Sequence, residues 1–452
     1  MNTVKHKNIV VIGAARSGTA AAKLLQKKGA TVFVTDYGPI DDFFKDQLQK
    51  AGIAFEENGH TARAKKADFA VLSPGVPTEA PLVQHYLNAG KEVFSELEVA
   101  SWFNQGPITA VTGSNGKTTV ANWMDHTWTK AGKRHLTAGN IGDAFSEKVR
   151  DSTPETDSLL EVSSFQLDHI RHFHPHVSLL LNITPDHLDR YDNDFEKYAA
   201  AKFRIIENQS ADDWIIYHHD DPVIRQKMES ISPKKAPQML AFSSIEKVPQ
   251  GAYVHNQTII LKINDMEEKL MPVRDLKLKG THNLNNGLAT ALAARASEIS
   301  NSVIRESLRS FEGVDHRLEE VRTVDGVKYI NDSKGTNINA VWYALNSFDV
   351  PMALILGGRD KGNDYSQLLD QIREKVHTII AIGEAQPLIE EQLKSAVPHF
   401  VKAKTMGEAV RYGHKYTKRG EIVLLSPACS SFDMYENYEH RGNEFKRIVN
   451  SL

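Results

Sequence analysis

Short apolar runs alternate with helix-period stretches from the start of the chain, and the alternation passes through three cycles. In the first, NIVVIG (8–13), TVFVTD (31–36) and DFAVLSPG (68–75) read as strands, separated by helices over 17–28 and through the forties. This βαβ rhythm belongs to a doubly wound parallel sheet. A second cycle opens at PITAVTG (107–113), enters a helix over 117–131 and adds SLLEVSS (158–164) and VSLLLNIT (177–184). Runs that are apolar at successive positions suit strands covered on both faces. Between 214 and 280 the pattern changes to hairpin-like strands (AYVHNQTIILKI, 252–263), which predicts a side sheet on the second domain before helices resume at 283–297 and 302–311. The third cycle begins near 314. There Asp325-Gly326 lies between two β-rich runs, a type I′ hairpin signal. MALILGG (352–358), HTIIAIG (377–383) and EIVLLSP (421–427) then alternate with helical stretches up to a closing helix over 436–450. Three consecutive α/β domains follow, with boundaries near 95 and 313.

Length and composition narrow what such a chain does. Its 452 residues suit three domains of about 150 residues each. Lys and Arg number 54 against 57 Asp and Glu, a net charge of -3 that offers no basic surface for nucleic acid or an anionic bilayer. The longest apolar runs, such as 177–181, fall far short of the ~20 residues that span a membrane. A single cysteine, Cys429, excludes an intramolecular disulfide, and MNTVKHKNIVVIG turns from charged residues straight into a strand with no secretory pattern. A cytoplasmic protein is the expectation.

The sharpest chemical signal is Val111-Thr112-Gly113-Ser114-Asn115-Gly116-Lys117-Thr118-Thr119, set between an apolar strand and a helix. Glycines let the backbone wrap a polyphosphate, loop N–H groups and the helix dipole face the anion, Lys117 adds a point charge, and the Thr118 hydroxyl suits Mg²⁺. The general P-loop would have Gly where Val111 stands. A glycine turn that only starts a helix is the plainer alternative, and the strand–loop–helix context favours ATP or GTP.

Two further strand ends carry polar groups: Glu161 in LLEVSSFQLD, and His187 in NITPDHLDRY. Ligands gather at the carboxyl ends of parallel strands, so a carboxylate and an imidazole beside a P-loop point to Mg²⁺ coordination; a lone His in a polar turn would read as a capping or surface residue. In DFEKYAAAKFRIIEN (194–208), predicted helical over 194–207, Lys202 sits in an alanine-rich turn. Desolvation there would depress its pKa and free a nucleophilic amine, whereas a lysine snorkelling to the surface would stay charged. At the N-terminus, Gly13-Ala14-Ala15-Arg16-Ser17-Gly18 is a degraded dinucleotide fingerprint with Ala15 in the second glycine's place, which argues against NAD. Asp36, ending the second strand, is a candidate acceptor for a ribose or uracil, and Arg16 a candidate phosphate partner. The alternating His172, His174 and His176 read as solvated or structural, and Cys429 as a small packing residue.

The chain resembles the ATP-dependent Mur ligases of peptidoglycan precursor synthesis, relatives of folylpolyglutamate synthetase, over essentially its whole length. TGSNGKTT is how that family writes its shortened P-loop, and EVSSFQLD, NITPDHLDRY, AAKFRI, GTHNLNN, DHRLE, NDSKGTN, LLSPACSSFD and RGNEF follow in family order. The last five are similar to the D-glutamate-adding branch. The resemblance implies an α/β chain of a Rossmann-like UDP-binding domain (1–95), a central P-loop ATPase-like domain with a mostly parallel sheet (96–313) and a Rossmann-like amino-acid-binding domain (314–452).

It also implies roles. Gly113, Ser114, Asn115, Gly116, Lys117, Thr118 and Thr119 would hold the ATP phosphates, Asn286 adenine, and Arg317 and Asp332 the ribose and phosphates. Thr118 and Glu161 would bind one Mg²⁺; Lys202, carbamylated by CO₂, and His187 would bind a second. Lys117, Glu161, His187 and Lys202 are thus the implied catalytic set. Ser17, Asp36 and the Ser73-Pro74-Gly75 turn would hold the UDP end of UDP-N-acetylmuramoyl-L-alanine, with Asn140 and Ser163 near its reacting carboxylate. Lys334, Thr336, Lys361, Ser431, Phe432 and Tyr438 would cradle D-glutamate. The implied protein is a monomeric, bacterial, cytoplasmic ligase with neither nucleic acid nor membrane as a partner. Two alternatives stay open on sequence: a related ligase with another acceptor, and a nucleotide-regulated binding protein without ligase chemistry.

Overall fold

The computed structural model describes residues 4–140, 142–231, 237–264, 266–360 and 362–452. These form two compact units, one of residues 1–277 and 284–311, the other of 278–283 and 312–452.

The first unit holds two sheets. A five-stranded parallel sheet runs in the spatial order Ala54–Glu56, Thr31–Thr35, Asn8–Ile12, Phe69–Leu72, Val93–Ser95. Its neighbour has nine strands, ordered Met266–Pro272, Thr258–Ile263, Gly251–His255, Gln238–Ser243, Trp214–His218, Val177–Leu180, Ile108–Thr112, Asp157–Glu161, His135–Gly139. Pairing is parallel from His135–Gly139 across to Gly251–His255 and antiparallel over the last three strands. The hairpin expected near 252–263 therefore exists, turning at Asn256-Gln257 with φ of 46° and 57°. It corrects the expected side sheet, however: strand Gly251–His255 hydrogen-bonds to Gln238–Ser243 and extends the central sheet itself. Continuous apolar runs do mark doubly covered strands here, since every residue of Ile108–Thr112 and Val177–Leu180 is buried.

The phosphate-loop helix, Lys117–Lys130, is anchored by two tryptophans with no exposed surface. Trp123 stacks on Phe311 at 4.8 Å between centroids, and Trp128 donates its indole N–H to Asp157 at 2.6 Å. Truncating a core aromatic costs about 3–5 kcal/mol, so the helix that carries the loop is fixed by its far end. The predicted strand 158–164 stops at Glu161, because Ser163 caps the short helix Ser164–Leu167. The predicted helix 194–207 is α-helical over Phe195–Phe203, with Asp194 accepting from the N–H groups of Glu196 and Lys197, and tightens to a 3₁₀ turn at Arg204–Ile206.

In the second unit a six-stranded sheet runs Glu319–Val324, Val327–Asn331, Ile422–Leu425, Met352–Gly357, Val376–Ile382, His399–Ala403, parallel except for the first pair. That pair turns at Asp325-Gly326, with positive φ at both (51° and 82°), as a type I′ turn requires. The closing helix is Tyr438–Asn450, whose Phe445 and Val449 pack into the core on one face of the sheet.

Candidate active site

In the first unit the phosphate loop bridges strand Ile108–Thr112 and helix Lys117–Lys130. Gly116 caps the helix at φ +85°, and a Cβ there would stand 2.7 Å from Asn286 Oδ1, so only glycine fits. Asn286 is buried and set against the loop itself.

The loop is held from the neighbouring strand end. Ser114 N–H donates to Asn182 O at 2.8 Å, and Asn115 N–H to Asn182 Oδ1 at 2.8 Å, while Asn182 Nδ2 returns a bond to Asn115 O at 3.0 Å. The Ser114 hydroxyl lies 2.8 Å from Thr184 O and 3.0 Å from the Tyr198 hydroxyl. Sequence reasoning assigned no role to Asn182, Thr184 or Tyr198. Their signal was an asparagine opening the NITPDH turn and a tyrosine one helical turn before Lys202.

Two lysines converge on one loop carbonyl. Lys117 Nζ donates to Gly113 O at 2.8 Å and Ser114 O at 2.9 Å, and Lys202 Nζ donates to the same Gly113 O at 3.0 Å. Lys202 is only 2% exposed and lies 4.6 Å from the Tyr198 ring centroid. Burial, then the nearby Lys117 charge, pull its pKa well below the ordinary lysine value, against weaker opposition from Asp186, Asp168 and Glu161. The buried-lysine reading of the sequence therefore matches the geometry.

Glu161 ends its strand fully inside. Asn140 Nδ2 donates to its Oε1 at 3.0 Å, and Asn140 N–H to its main-chain oxygen at 2.8 Å, while Glu161 Oε2 is buried with no hydrogen-bond partner among the described residues. A buried, unsatisfied carboxylate oxygen is what a hard cation would complete. The His187 side chain is half-exposed, in a left-handed turn at φ 51°, with its ring edge-on to Phe165 at 5.2 Å. No group of three His, Cys, Asp or Glu side chains is gathered for a metal among the described residues. A divalent ion here would therefore take few side-chain ligands and be completed by water and phosphate oxygens. The donors present fit Mg²⁺, which accepts few protein ligands and keeps water and phosphate oxygens.

The candidates for the UDP end lie at strand ends of the five-stranded sheet. Asp36 accepts from Ala14 N–H at 2.7 Å and Gly38 N–H at 3.0 Å, so its carboxylate organises the turn around Gly13. Ser17 lies half-buried in the first turn of helix Arg16–Lys27, and Ser73 is buried beside Gly13. Arg16 donates from one terminal nitrogen to Gly142 O. Arg190, also missed in the sequence, packs over the Phe165 ring at 4.2 Å and reaches Gly75 O at 3.5 Å and Val76 O at 3.2 Å, tying the His187 segment to the Ser73-Pro74-Gly75 turn. The Ser163 N–H and hydroxyl both meet Gln166 Oε1, at 3.0 and 3.2 Å, at the start of helix Ser164–Leu167.

In the second unit, Asp332 is buried and accepts from the Ser426 hydroxyl at 2.7 Å, and burial raises its carboxyl pKa to about 6. Arg317 favours its charged form. Lys334 Nζ lies 5.3 Å from the Tyr438 ring, Thr336 is half-buried, Ser431 is buried and Phe432 is 62% exposed. Lys361 lies outside the described residues. Of the histidines set aside, His174 and His176 both bond Asp213, at 2.6 and 3.1 Å, a structural pairing. Cys429 has no exposed surface, and burial raises its thiol pKa to about 11, which makes it unreactive.

A phosphate loop at the end of a buried parallel strand, a desolvated lysine and an unsatisfied carboxylate are the features of a nucleotide-binding enzyme. Residues 111–294 match the Mur ligase middle domain, 316–429 the Mur ligase glutamate ligase domain, and 8–81 the MurD N-terminal domain. The chain belongs to the Mur ligase family. It is 50% identical to the UDP-N-acetylmuramoylalanine--D-glutamate ligase of Salinibacter ruber over 455 residues, 99% of each chain. It is 43% identical to the enzyme of that name from Christiangramia forsetii, over 99% of this chain and 100% of the other. The fold is also that of UDP-N-acetylmuramate-alanine ligase from Thermotoga maritima, with a TM-score of 0.61 at 16% identity over 99% and 100% of the two chains.

Proposed function

We propose that the protein is an ATP-dependent amide ligase that joins D-glutamate to UDP-N-acetylmuramoyl-L-alanine, giving ADP and phosphate, and that it works as a monomer in the bacterial cytoplasm. The observation that carries the reading is the phosphate loop sharing its Gly113 carbonyl with a lysine whose charged form is disfavoured by burial. The names of its full-length relatives supply the acceptor and the amino acid. Among the described residues no helix is long and apolar enough to cross a membrane. In chain order, 1–95 would hold UDP, 96–313 ATP and 314–452 the amino acid.

A free carboxylate is a poor acyl donor because its leaving group is in effect oxide. In the proposed reaction a carboxylate oxygen of the muramoyl-alanine bonds to the γ-phosphorus as the bond to ADP breaks, giving an acyl phosphate. The neutral amine of D-glutamate then bonds to the carbonyl carbon, phosphate leaves, and the amine's proton passes to solvent. For the first step, loop N–H groups and Lys117 hold the transferring phosphate in line, and Asn182 keeps the loop in that shape. Two Mg²⁺ ions, when bound, would neutralise charge developing on that phosphate. Glu161 and Thr118 are the residues for one, and His187 with Lys202 for the other.

Lys202 serves this scheme as a carbamate. Its neutral nitrogen bonds to the carbon of CO₂ and loses a proton, which turns a would-be cation into an oxygen anion. Only the unprotonated amine reacts, and that is the form its burial favours. Asn286, Arg317 and Asp332 are proposed for the nucleoside of ATP, Ser17, Asp36, Ser73, Gly75, Asn140 and Ser163 for the UDP-linked substrate, and Lys334, Thr336, Lys361, Ser431, Phe432 and Tyr438 for D-glutamate.

Phosphate release from ATP with UDP-N-acetylmuramoyl-L-alanine, measured while amino acids are varied, tests the reading. Strict dependence on D-glutamate is expected. Dependence on another amino acid would make the protein a related ligase, release indifferent to both substrates would remove the ligase reading, and AMP with pyrophosphate would reject the acyl-phosphate route.

A further inference from the structure

The RGNEF segment (441–445) is given no task by the scheme above, yet its arginine is the largest charged side chain buried in the molecule. Arg441, in the first turns of helix Tyr438–Asn450, is 2% exposed. Its guanidinium contacts main-chain and hydroxyl oxygens: Nε donates to Ser333 Oγ at 2.9 Å, one terminal nitrogen to Ser333 O at 2.8 Å and Cys429 O at 3.1 Å, and the other to Ser430 O at 3.4 Å. Among the described residues no carboxylate lies within ion-pair distance, although Asp433 and Asp332 act on it from further away.

The acceptors belong to two loops. One is the 332–336 turn, which carries Lys334 and Thr336; the other is the 428–432 turn, which carries Ser431 and Phe432. A third loop is attached through the second, because Arg359 N–H donates to Ser430 O at 2.9 Å. Gly358 makes room there at φ +141°, where a Cβ would stand 2.3 Å from Ser430 O and 3.1 Å from an Arg441 terminal nitrogen. The first two loops are also joined by Ala428 N–H to Gly335 O, at 2.9 Å. The planar fork of arginine supplies several donors at fixed angles and stays charged when desolvated, which lysine does not.

We infer that Arg441 is the positioning residue of the amino-acid site: its buried guanidinium sets the spacing of the 332–336 and 428–432 loops and so the affinity for the dicarboxylate amino acid. The inference rests on the reading of the C-terminal unit as the D-glutamate site. It predicts a selective defect. In Arg441→Met and Arg441→Lys, KM for D-glutamate should rise by about tenfold or more, KM for ATP by less, since the 332–336 turn also carries Asp332, and KM for the UDP-linked substrate should stay within about twofold, the loss of one charge-assisted hydrogen bond being of that size. Arg441→Lys should be as impaired as Arg441→Met, because it keeps the charge but loses the fork. In Arg441→Ala, added methylguanidinium should restore D-glutamate affinity, and methylammonium should not.

Ser333→Ala removes one acceptor without emptying the space of the guanidinium and should give a smaller rise, about two- to fivefold, in the same KM. A wild-type KM for D-glutamate in Arg441→Met, equal rises in all three KM values, or collapse of the Arg441 variants together with an unchanged Ser333→Ala enzyme would each overturn the inference. Failure of the reading beneath it would be seen separately, as a wild-type enzyme whose phosphate release does not respond to D-glutamate.

Discussion

Lys202 and Arg441 are both basic side chains with 2% exposure, one beside the phosphate loop and the other beneath the loops of the C-terminal unit. Their surroundings treat the charge in opposite ways. Lys202 meets one loop carbonyl in company with a second ammonium, and its pKa falls well below the lysine range. Arg441 meets carbonyls from two loops, and burial brings it only to about 10, so it stays a cation at any physiological pH. A buried amine that gives up its proton becomes a nucleophile, while a buried guanidinium that keeps it becomes architecture. Burial alone does not distinguish a reactive group from a structural one; the number and geometry of the acceptors do.

The largest effect should come from removing the reactive member. Lys202→Ala is expected to lower turnover on the order of a hundredfold or more, as loss of a charge-stabilising group in an active site does, with the thermal transition preserved. Lys202→Arg should be equally inactive, since arginine has no neutral amine to react with CO₂. In the wild type, ¹³C NMR after equilibration with ¹³CO₂ should give a carbamate signal that Lys202→Ala lacks. Near wild-type turnover in either variant would remove the carbamate from the account.

Next is Glu161, whose Oε2 is buried without a partner. Glu161→Gln should raise the Mg²⁺ concentration for half-maximal activity by about tenfold to a hundredfold; an unchanged Mg²⁺ titration would mean that this oxygen faces no metal. A smaller effect is expected from Asn182→Ala. It removes two side-chain hydrogen bonds to the phosphate loop, worth about 1–2 kcal/mol together, and KM for ATP should rise by about five- to thirtyfold with little change in KM for D-glutamate.

The smallest concerns Asp332, the buried acid of the C-terminal unit. Its folded-state carboxyl is raised from 3.8 to about 6, so the folded state holds this proton more tightly than the unfolded chain does. Its contribution to stability is therefore present below about pH 4 and is lost as pH rises through about 6, at most on the order of 3 kcal/mol. Thermal denaturation of wild type and Asp332→Asn across that window should give a difference that changes with pH in this sense. Parallel curves would refute the assignment.

The elements and the chemistry were legible in the sequence wherever the signal was local. Successive apolar positions gave the buried strands, Asp325-Gly326 gave its turn, and Gly113 to Thr119 gave a phosphate loop before any contact was known. The alanine-rich turn around Lys202 was enough to anticipate a desolvated amine. What escaped was set by pairing between distant segments. Asn182 touches a loop 67 positions away, and Arg441 an oxygen 108 positions away, with no local pattern to announce either. The side sheet was misjudged because a strand's partner is not written in its own alternation.

The most direct test of the central claim follows oxygen. With the muramoyl-alanine carboxylate labelled with ¹⁸O, ATP and D-glutamate, one labelled oxygen should appear in the released phosphate, because the attacking carboxylate oxygen leaves with phosphorus when the amide forms. Unlabelled phosphate would contradict the acyl-phosphate account, whatever the kinetics of the variants.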